Sequence, residues 1–339
     1  MSDVFPETMI VVGRLLKWPK RLRIRGAEHC PERGPAAFAG NHMKFDDPPI
    51  MFRAIYLASG NRIFPHFLGR DDIFAGAPLS GLIDYNEVLV LANGVLFSRE
   101  SVRLSQLKPI IKLLREGECF GLYPARTRSR SGAIIEYPEG SEEPGGLSMF
   151  VAQAQRGRPG LAIAVVPLAR TYNPVSKKTT IVFDAPESLP HDADRDAQRE
   201  FDCRIVERIA SQIEVNVPQV LSAILRLRCI HGRIGPIDTA ALEDAVRSVF
   251  EGISHPYVDP AAREALRREV RSTVRYLRRK GMLAVKGRTI IPNADAIDAQ
   301  PPMDYEFRDR NPVKYLTHQI IHLADVTAEA ERAALAMAD

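Results

Sequence analysis

Pro35-Ala36-Ala37-Phe38-Ala39-Gly40-Asn41-His42-Met43-Lys44-Phe45-Asp46-Asp47-Pro48-Pro49 reads as a strand, a polar turn and the start of a helix. A short run of small and apolar residues bounded by turn formers is the pattern of a fully buried strand. Asp47 before Pro48 suits an N-cap and first helical position, because a proline there gives up an N–H that would have no partner anyway. A helix is therefore expected from Pro48 to Ala58. His42 lies between the two elements, with four residues separating it from Asp47. An imidazole at a strand end can take a proton from an attacking hydroxyl or amine when a carboxylate holds its other ring nitrogen, which sets tautomer and basicity. Such chemistry needs no serine or cysteine nucleophile. Helix capping alone also accounts for Asp47, so the rest of the chain has to separate the two readings.

Outward from this stretch, apolar runs alternate with helical stretches from Gly26 to about Phe183, the pattern of an α/β domain. A helix is expected from Ser101 to Arg115. Strands are expected over Cys119 to Tyr123, over Leu161 to Leu168 and at Ile181 to Phe183. Several strand ends carry polar or proline-marked sequence, where α/β folds place their sites.

The chain has 339 residues, 45% hydrophobic and 26% charged, with a net charge of +4. That composition is globular, with room for one substantial domain and a smaller one. The charge is too small to imply nucleic acid and suits an anionic substrate or a membrane surface. Cys30, Cys119, Cys203 and Cys229 are scattered and form no metal-ligand spacing, so neither zinc nor a disulfide framework is expected. No signal pattern and no apolar run of about twenty residues is present, which points to a cytoplasmic protein.

Three regions are expected. Residues 1–25 hold an amphipathic helix with Trp18 and a basic exit through Arg21, Arg23 and Arg25, fit either for a membrane interface or for packing on its own domain. Residues 26–215 hold the α/β domain, with a long helix from Ala197 to Val215. Residues 216–339 form a helical module. Within it, helices at Ile237 to Phe250 and Pro260 to Lys280 precede a hairpin over Gly281 to Ile291, suggesting a winged-helix-like order. Arg263, Arg267, Arg268, Arg271, Arg275, Arg278, Arg279 and Lys280 follow the second helix, a solvated face, a membrane-facing one or a nucleic-acid contact. His318 and His322 are spaced i and i+4. That spacing suits a metal if an acid completes the set, but a satisfied helix face is the favoured reading.

Two further blocks carry chemistry. Gly94-Val95-Leu96-Phe97-Ser98-Arg99 closes an apolar segment on a guanidinium that can clamp a phosphate or carboxylate. Tyr123-Pro124-Ala125-Arg126-Thr127-Arg128-Ser129-Arg130-Ser131-Gly132 alternates three arginines with hydroxyls and has no acid in it. Arginines, hydroxyls and exposed amides together suit an anion, and the crowded charge calls for a neutralising partner.

With Val165-Val166-Pro167-Leu168, these blocks resemble, in order, the four motifs of the glycerol-3-phosphate and lysophosphatidate acyltransferase superfamily over roughly residues 20 to 185. His42 and Asp47 match its His-x4-Asp motif; Gly94, Phe97 and Arg99 match its Gly-x-x-Phe-x-Arg pattern; Val166 and Pro167 match its Val-Pro strand. The third block departs from the family. Pro124, Thr127, Arg128, Ser129, Arg130, Ser131 and Gly132 are kept, but Ala125 replaces a glutamate and Arg126 a glycine. The region from Gly281 to Pro292 and the segment Arg310 to His322 are loosely similar to the tail of larger glycerol-3-phosphate acyltransferases.

The resemblance implies a mixed sheet flanked by helices, with His42 as general base and Asp47 orienting it. Arg99, Arg126, Thr127, Arg128, Ser129 and Arg130 would hold an anionic lipid-precursor acceptor, and Gly94, Phe97 and Pro167 would shape its pocket. The donor would be acyl-CoA or acyl carrier protein, a co-substrate rather than a cofactor, and no metal is implied. Peripheral contact with the inner face of a membrane follows from the same resemblance. Ala125 and Arg126 also leave open an amine or other non-glycerol acceptor. A non-catalytic acyl- or lipid-binding protein and a nucleic-acid-binding protein stand as readings of another class.

Overall fold

The computed structural model describes residues 21–44, 46–70, 94–97, 104–141, 143–301 and 307–337. The expected N-terminal amphipathic helix up to residue 20 and the Arg99 position lie outside these residues. The first described element corrects the sequence reading. Leu22–Arg25 is a strand, β1, not the basic exit of a helix, and it pairs parallel with Lys178–Phe183. Its arginines are spent internally. Arg23 donates to Glu214 at 3.1 Å and Asp259 at 3.2 Å, and Arg25 pairs with Glu214 at 3.0 Å. Glu214 is 3% exposed and also accepts from Thr180 Oγ1 at 2.7 Å.

The sheet then takes in β2 (Ala36–Gly40), β3 (His66–Arg70), β4 (Gly94–Phe97), β5 (Cys119–Leu122), β6 (Ala164–Asn173) and β7 (Lys178–Phe183), in the order β1-β7-β6-β2-β5-β3-β4. Every pair is parallel except β6 with β7. The sheet is therefore mixed, as expected. Strand β6 begins three residues later than its sequence suggests and runs five residues past Leu168. Pro167 sits inside it, opposite Ala39.

Strand β2 lies at the middle and is buried along its whole length. Alternate residues point to opposite faces, as a pleated strand requires. Ala36 and Phe38 pack with Ile50, Met51, Ala54 and Ile55 of α1 (Asp47–Ala58). Ala37 and Ala39 join the other face with residues of α2 (Leu104–Arg115), α3 (Leu147–Gln155) and α4 (Arg195–Ser211). Helix α4 ends at Ser211, short of the expected Val215, and residues 213–216 become a connection. There Val215 exchanges backbone bonds with Tyr257 and Asp259.

The C-terminal module starts at α5 (Val217–Ile230), entered through a capping box between Asn216 and Gln219. A short strand β8 (Ile237–Asp238), α6 (Thr239–Gly252), a turn of helix α7 (Ala261–Glu264), α8 (Leu266–Arg279) and the hairpin β9 (Leu283–Lys286) and β10 (Thr289–Pro292) follow. The small sheet has the order β8-β10-β9 and is antiparallel. Helix, strand, two helices and a hairpin returning to the strand is the winged-helix arrangement. The single helix expected from Pro260 to Lys280 is broken at Ala265, whose backbone leaves the helical region at φ −142. Short helices α9 (Ala294–Asp298), α10 (Phe307–Arg310) and α11 (Pro312–His318) and the longer α12 (Ala324–Ala336) close the chain.

Module and sheet share one core. A single cluster joins Met43, Ile134, Ala169 and Val182 to the buried residues of α5, α6, α8, α11 and α12. Among the described residues no helix is long and apolar enough to cross a membrane. Glu214 should anchor the edge strand to this shared core. Glu214→Ala, leaving Arg23 and Arg25 without their common carboxylate, should lower stability by roughly 2–4 kcal/mol, read as a drop in the denaturant midpoint.

Candidate active site

The parallel trio β6-β2-β5 ends at one edge of the sheet, and each strand delivers a polar residue there. Asn41 and His42 follow β2, Tyr123 follows β5, and Arg170 lies on β6 just past Leu168, the partner of Gly40. Asn41 is fully buried and fastens two of these strands. Its Nδ2 donates to the Arg170 carbonyl at 3.0 Å, and its Oδ1 accepts from the Arg170 N–H at 2.7 Å.

Asp47 is not a helix cap. Asp46 holds the N-cap position, Asp47 is the first helical residue, and the helix tolerates the two prolines that follow because they occupy its first turn. The Asp47 side chain, 0% exposed, turns back into the loop. Its Oδ2 accepts from the Met43 N–H at 2.5 Å, the Lys44 N–H at 2.6 Å and His42 Nδ1 at 2.7 Å. Its Oδ1 meets Nη1 of Arg170, a side chain 2% exposed that also donates to Asp46 at 3.0 Å. A carboxylate so far from water needs this set of partners, since an unpaired buried charge costs several kcal/mol.

With Asp47 as acceptor, Nδ1 of His42 carries the hydrogen and Nε2 presents its lone pair. The ring lies against Tyr123, centroids 4.3 Å apart and planes 15° from parallel. Burial and then the Arg128 and Arg170 cations lower the imidazole from its ordinary 6.5 to about 3, with Asp46 opposing them. The His42 imidazole is therefore neutral at physiological pH.

The third block is built around an acid that lies outside it. Glu136 accepts from the Ser131 N–H at 3.0 Å, the Arg130 N–H at 3.2 Å, the Ser129 hydroxyl at 3.2 Å and the Ser131 hydroxyl at 2.5 Å. The expected anion nest is thus filled by the protein's own carboxylate, and the crowded arginines do have an acid beside them. The Ser129 N–H donates to the His42 carbonyl at 2.7 Å, tying this loop to the base. Gly132, at φ 98, is needed because a Cβ there would stand 2.2 Å from the Tyr315 carbonyl oxygen.

A family model described as acyltransferase matches residues 21–171. That segment, a little under half of the chain, is similar to the acyltransferase family. The match spans β1 to β6 and so contains the His42–Asp47–Arg170 edge. A curated relative from Borreliella burgdorferi, 1-acyl-sn-glycerol-3-phosphate acyltransferase, is 26% identical over 124 residues. That alignment covers 36% of this chain and 44% of the relative, so the chain spans less than half of that relative's length. A solved structure, the 1-acyl-sn-glycerophosphate (LPA) acyltransferase PlsC from Thermotoga maritima, overlays with TM-score 0.43 and 17% identity, covering 60% of this chain and 77% of that one.

Within the matched segment the motif residues separate into groups. His42, Asp47 and the third block meet at the strand ends. Arg128 acts electrostatically on His42, whereas Arg126 does not join it. Arg126 adopts φ 60, the left-handed region where glycine is favoured, and its guanidinium donates to the Ser141 hydroxyl and to the Glu143 carbonyl at 3.2 Å. Ser129 is 2% exposed and serves the loop; the Arg130 backbone binds Glu136 and accepts from the Phe307 N–H. Gly94 and Phe97 lie on β4, two strands from β5, and Pro167 lies in β6. Thr127 is partly exposed beside Arg128.

Sequence reading missed Asn41, Tyr123, Glu136 and Arg170 as site residues. A lone arginine closing the apolar run Val165 to Ala169 was the signal for Arg170. His318 and His322 form no metal pair: His318 Nδ1 bonds the Ser131 carbonyl at 3.0 Å and His322 Nε2 the Ala210 carbonyl at 2.9 Å.

Burial of a neutral His42 fixes the sign of a pH effect. The unfolded imidazole protonates near 6.5 and the folded one only near 3, so unfolding takes up a proton between these values. The His42 contribution to stability is full above 6.5 and declines as pH falls toward 3. By NMR, the His42 ring should remain neutral at pH 5, and Arg170→Gln should move its titration upward; a wild-type midpoint near 6.5 would refute this account.

Proposed function

We propose that this protein is an acyltransferase that moves a fatty acyl group from a thioester, acyl-CoA or acyl carrier protein, to a hydroxyl of a glycerol-phosphate-type acceptor in lipid biosynthesis. One observation carries the proposal: a neutral imidazole whose Nδ1 is held by a buried, charge-balanced Asp47, inside a segment of the acyltransferase family. His42 Nε2 accepts the hydroxyl proton as the acceptor oxygen attacks the thioester carbonyl. The tetrahedral intermediate collapses with loss of the thiolate, which takes the proton back from His42. No acyl-enzyme forms, and the stacked Tyr123 ring limits rotation of the base.

Arg128 is the described cation best placed for the acceptor's phosphate, and the family resemblance assigns Arg99 a similar task. Ala125 is 2% exposed and stands where the family carries an acid. Because the Arg126 guanidinium is held by Ser141 and Glu143, the substitution of both residues removes one negative charge from the pocket without adding a cation to it. This change favours an acceptor that tolerates or needs greater anionic character than the family norm. The same pocket admits an amine acceptor through the same base.

The decisive assay is a matrix of acyl-CoA and acyl carrier protein donors against glycerol-3-phosphate, lysophosphatidate and amine acceptors, with products read by mass. His42→Ala should reduce transfer on the order of a hundredfold to ten-thousandfold while leaving the circular dichroism spectrum intact. Undiminished turnover in that variant would exclude His42 as base. Ala125→Glu should shift preference among acceptors; unchanged preference would remove position 125 from acceptor selection.

A further inference from the structure

Helix α8 presents two faces of opposite character. Val270, Thr273, Val274 and Leu277 are buried in the module core, while Arg267, Arg268, Arg271, Arg275, Arg278 and Arg279 are exposed. At about 1.5 Å per residue the cationic face is roughly 20 Å long. Its two halves differ in their neighbours. Arg267 and Arg271 lie 3.5 and 3.6 Å from Glu243 of α6, and Arg268 lies 3.9 Å from Glu269. Around the far end, Lys280 approaches Asp309 at 3.6 Å. Arg275 and Arg279 bond only to carbonyls and a hydroxyl of their own helix among the described residues, and neither they nor Arg278 meets a carboxylate there. Three guanidinium groups within five residues, all held outward, repel one another unless an external anion neutralises them.

This half of the helix adjoins the catalytic edge. Lys280, beside Arg279, lies 3.6 Å from Asp309 of α10; Phe307 of the same short helix donates its N–H to the Arg130 carbonyl at 2.9 Å, next to Ser129, whose N–H binds the His42 carbonyl. On the other side of the base, Tyr172, at the end of β6, carries the Lys44 ammonium 4.1 Å above its ring. Lys44 and Asp46 both belong to the loop between His42 and Asp47. The basic end of α8 is thus joined through α10 to the loop that holds the His42 carbonyl.

We propose that Arg275, Arg278 and Arg279 hold this protein against an anionic bilayer, bringing the His42 edge to the surface where an acyl acceptor resides. The proposal rests on the acyltransferase reading for its purpose, though not for its binding chemistry. Adjacency to the site favours a lipid surface over duplex nucleic acid, which would gain nothing from lying beside an acyl-transfer base. With the apolar face of α8 committed to the core, contact is electrostatic rather than inserted, and so weakens with salt.

The test uses the full chain with phosphatidylcholine vesicles, with or without phosphatidylglycerol, at low and high salt. Binding should require phosphatidylglycerol and fall at high salt. At roughly a fivefold loss per surface cation removed, the triple Arg275→Gln, Arg278→Gln, Arg279→Gln variant should bind on the order of a hundredfold more weakly. The corresponding triple lysine variant should retain binding. Vesicle binding by the glutamine variant equal to wild type would overturn the proposal, as would tighter binding to a duplex DNA than to anionic vesicles. Turnover on a water-soluble, short-chain acceptor should be the same in all three proteins. If none of them turns over while vesicle binding still follows the arginines, the acyltransferase reading fails and the surface assignment stands.

Discussion

Everything at the strand-end site around His42 depends on keeping one carboxylate charged where water does not reach it. Asp47 is stable there because two amides, an imidazole and the Arg170 guanidinium converge on its two oxygens. Each partner is fixed by a different element. The amides come from the turn after β2, the guanidinium from β6, and the carboxylate from the first residue of α1. The parallel register of β2 with β6 is what brings Arg170 level with the turn, and the Asn41 clamp holds that register at its end. The sheet is thereby coupled to the protonation state of a single ring.

The same economy extends to the third block, whose loop carries its own counterion. With Glu136 inside it, the loop needs no bound phosphate to hold its shape. Its outer side is braced by the C-terminal module through Phe307 against the Arg130 carbonyl, His318 against the Ser131 carbonyl and the Tyr315 backbone against Gly132. The module is therefore a structural neighbour of His42, two hydrogen bonds removed by way of Ser129.

The strand–turn–helix around His42 was legible because it is local: small apolar residues, a polar turn and two prolines each have one dominant conformational meaning. The winged-helix order was legible for a similar reason, since its helices and hairpin carry clear periodicity and glycine punctuation. What escaped was non-local. Leu22–Arg25 looks polar until Glu214 and Asp259, roughly two hundred residues away, accept its arginines. The pairing of Asp47 with His42 is expected from the sequence, but nothing in the sequence shows Arg170 beside that carboxylate. Arg126 looked like an anion ligand until its left-handed backbone turned it toward residues 141 to 143. In each case the deciding partner arrives by tertiary contact, and spacing along the chain carries no trace of it.

The continuous core between sheet and module has a further consequence, for cooperativity. Ala169 and Val182 lie on the sheet, yet they belong to the same apolar cluster as Val220, Leu221, Val270 and Leu316. Opening the module would wet the back of β6 and β7, and loosening β6 would withdraw Arg170 from Asp47. Sheet and module therefore share one packed interior rather than sitting as two beads on a string, so an opening of the module exposes part of the sheet as well.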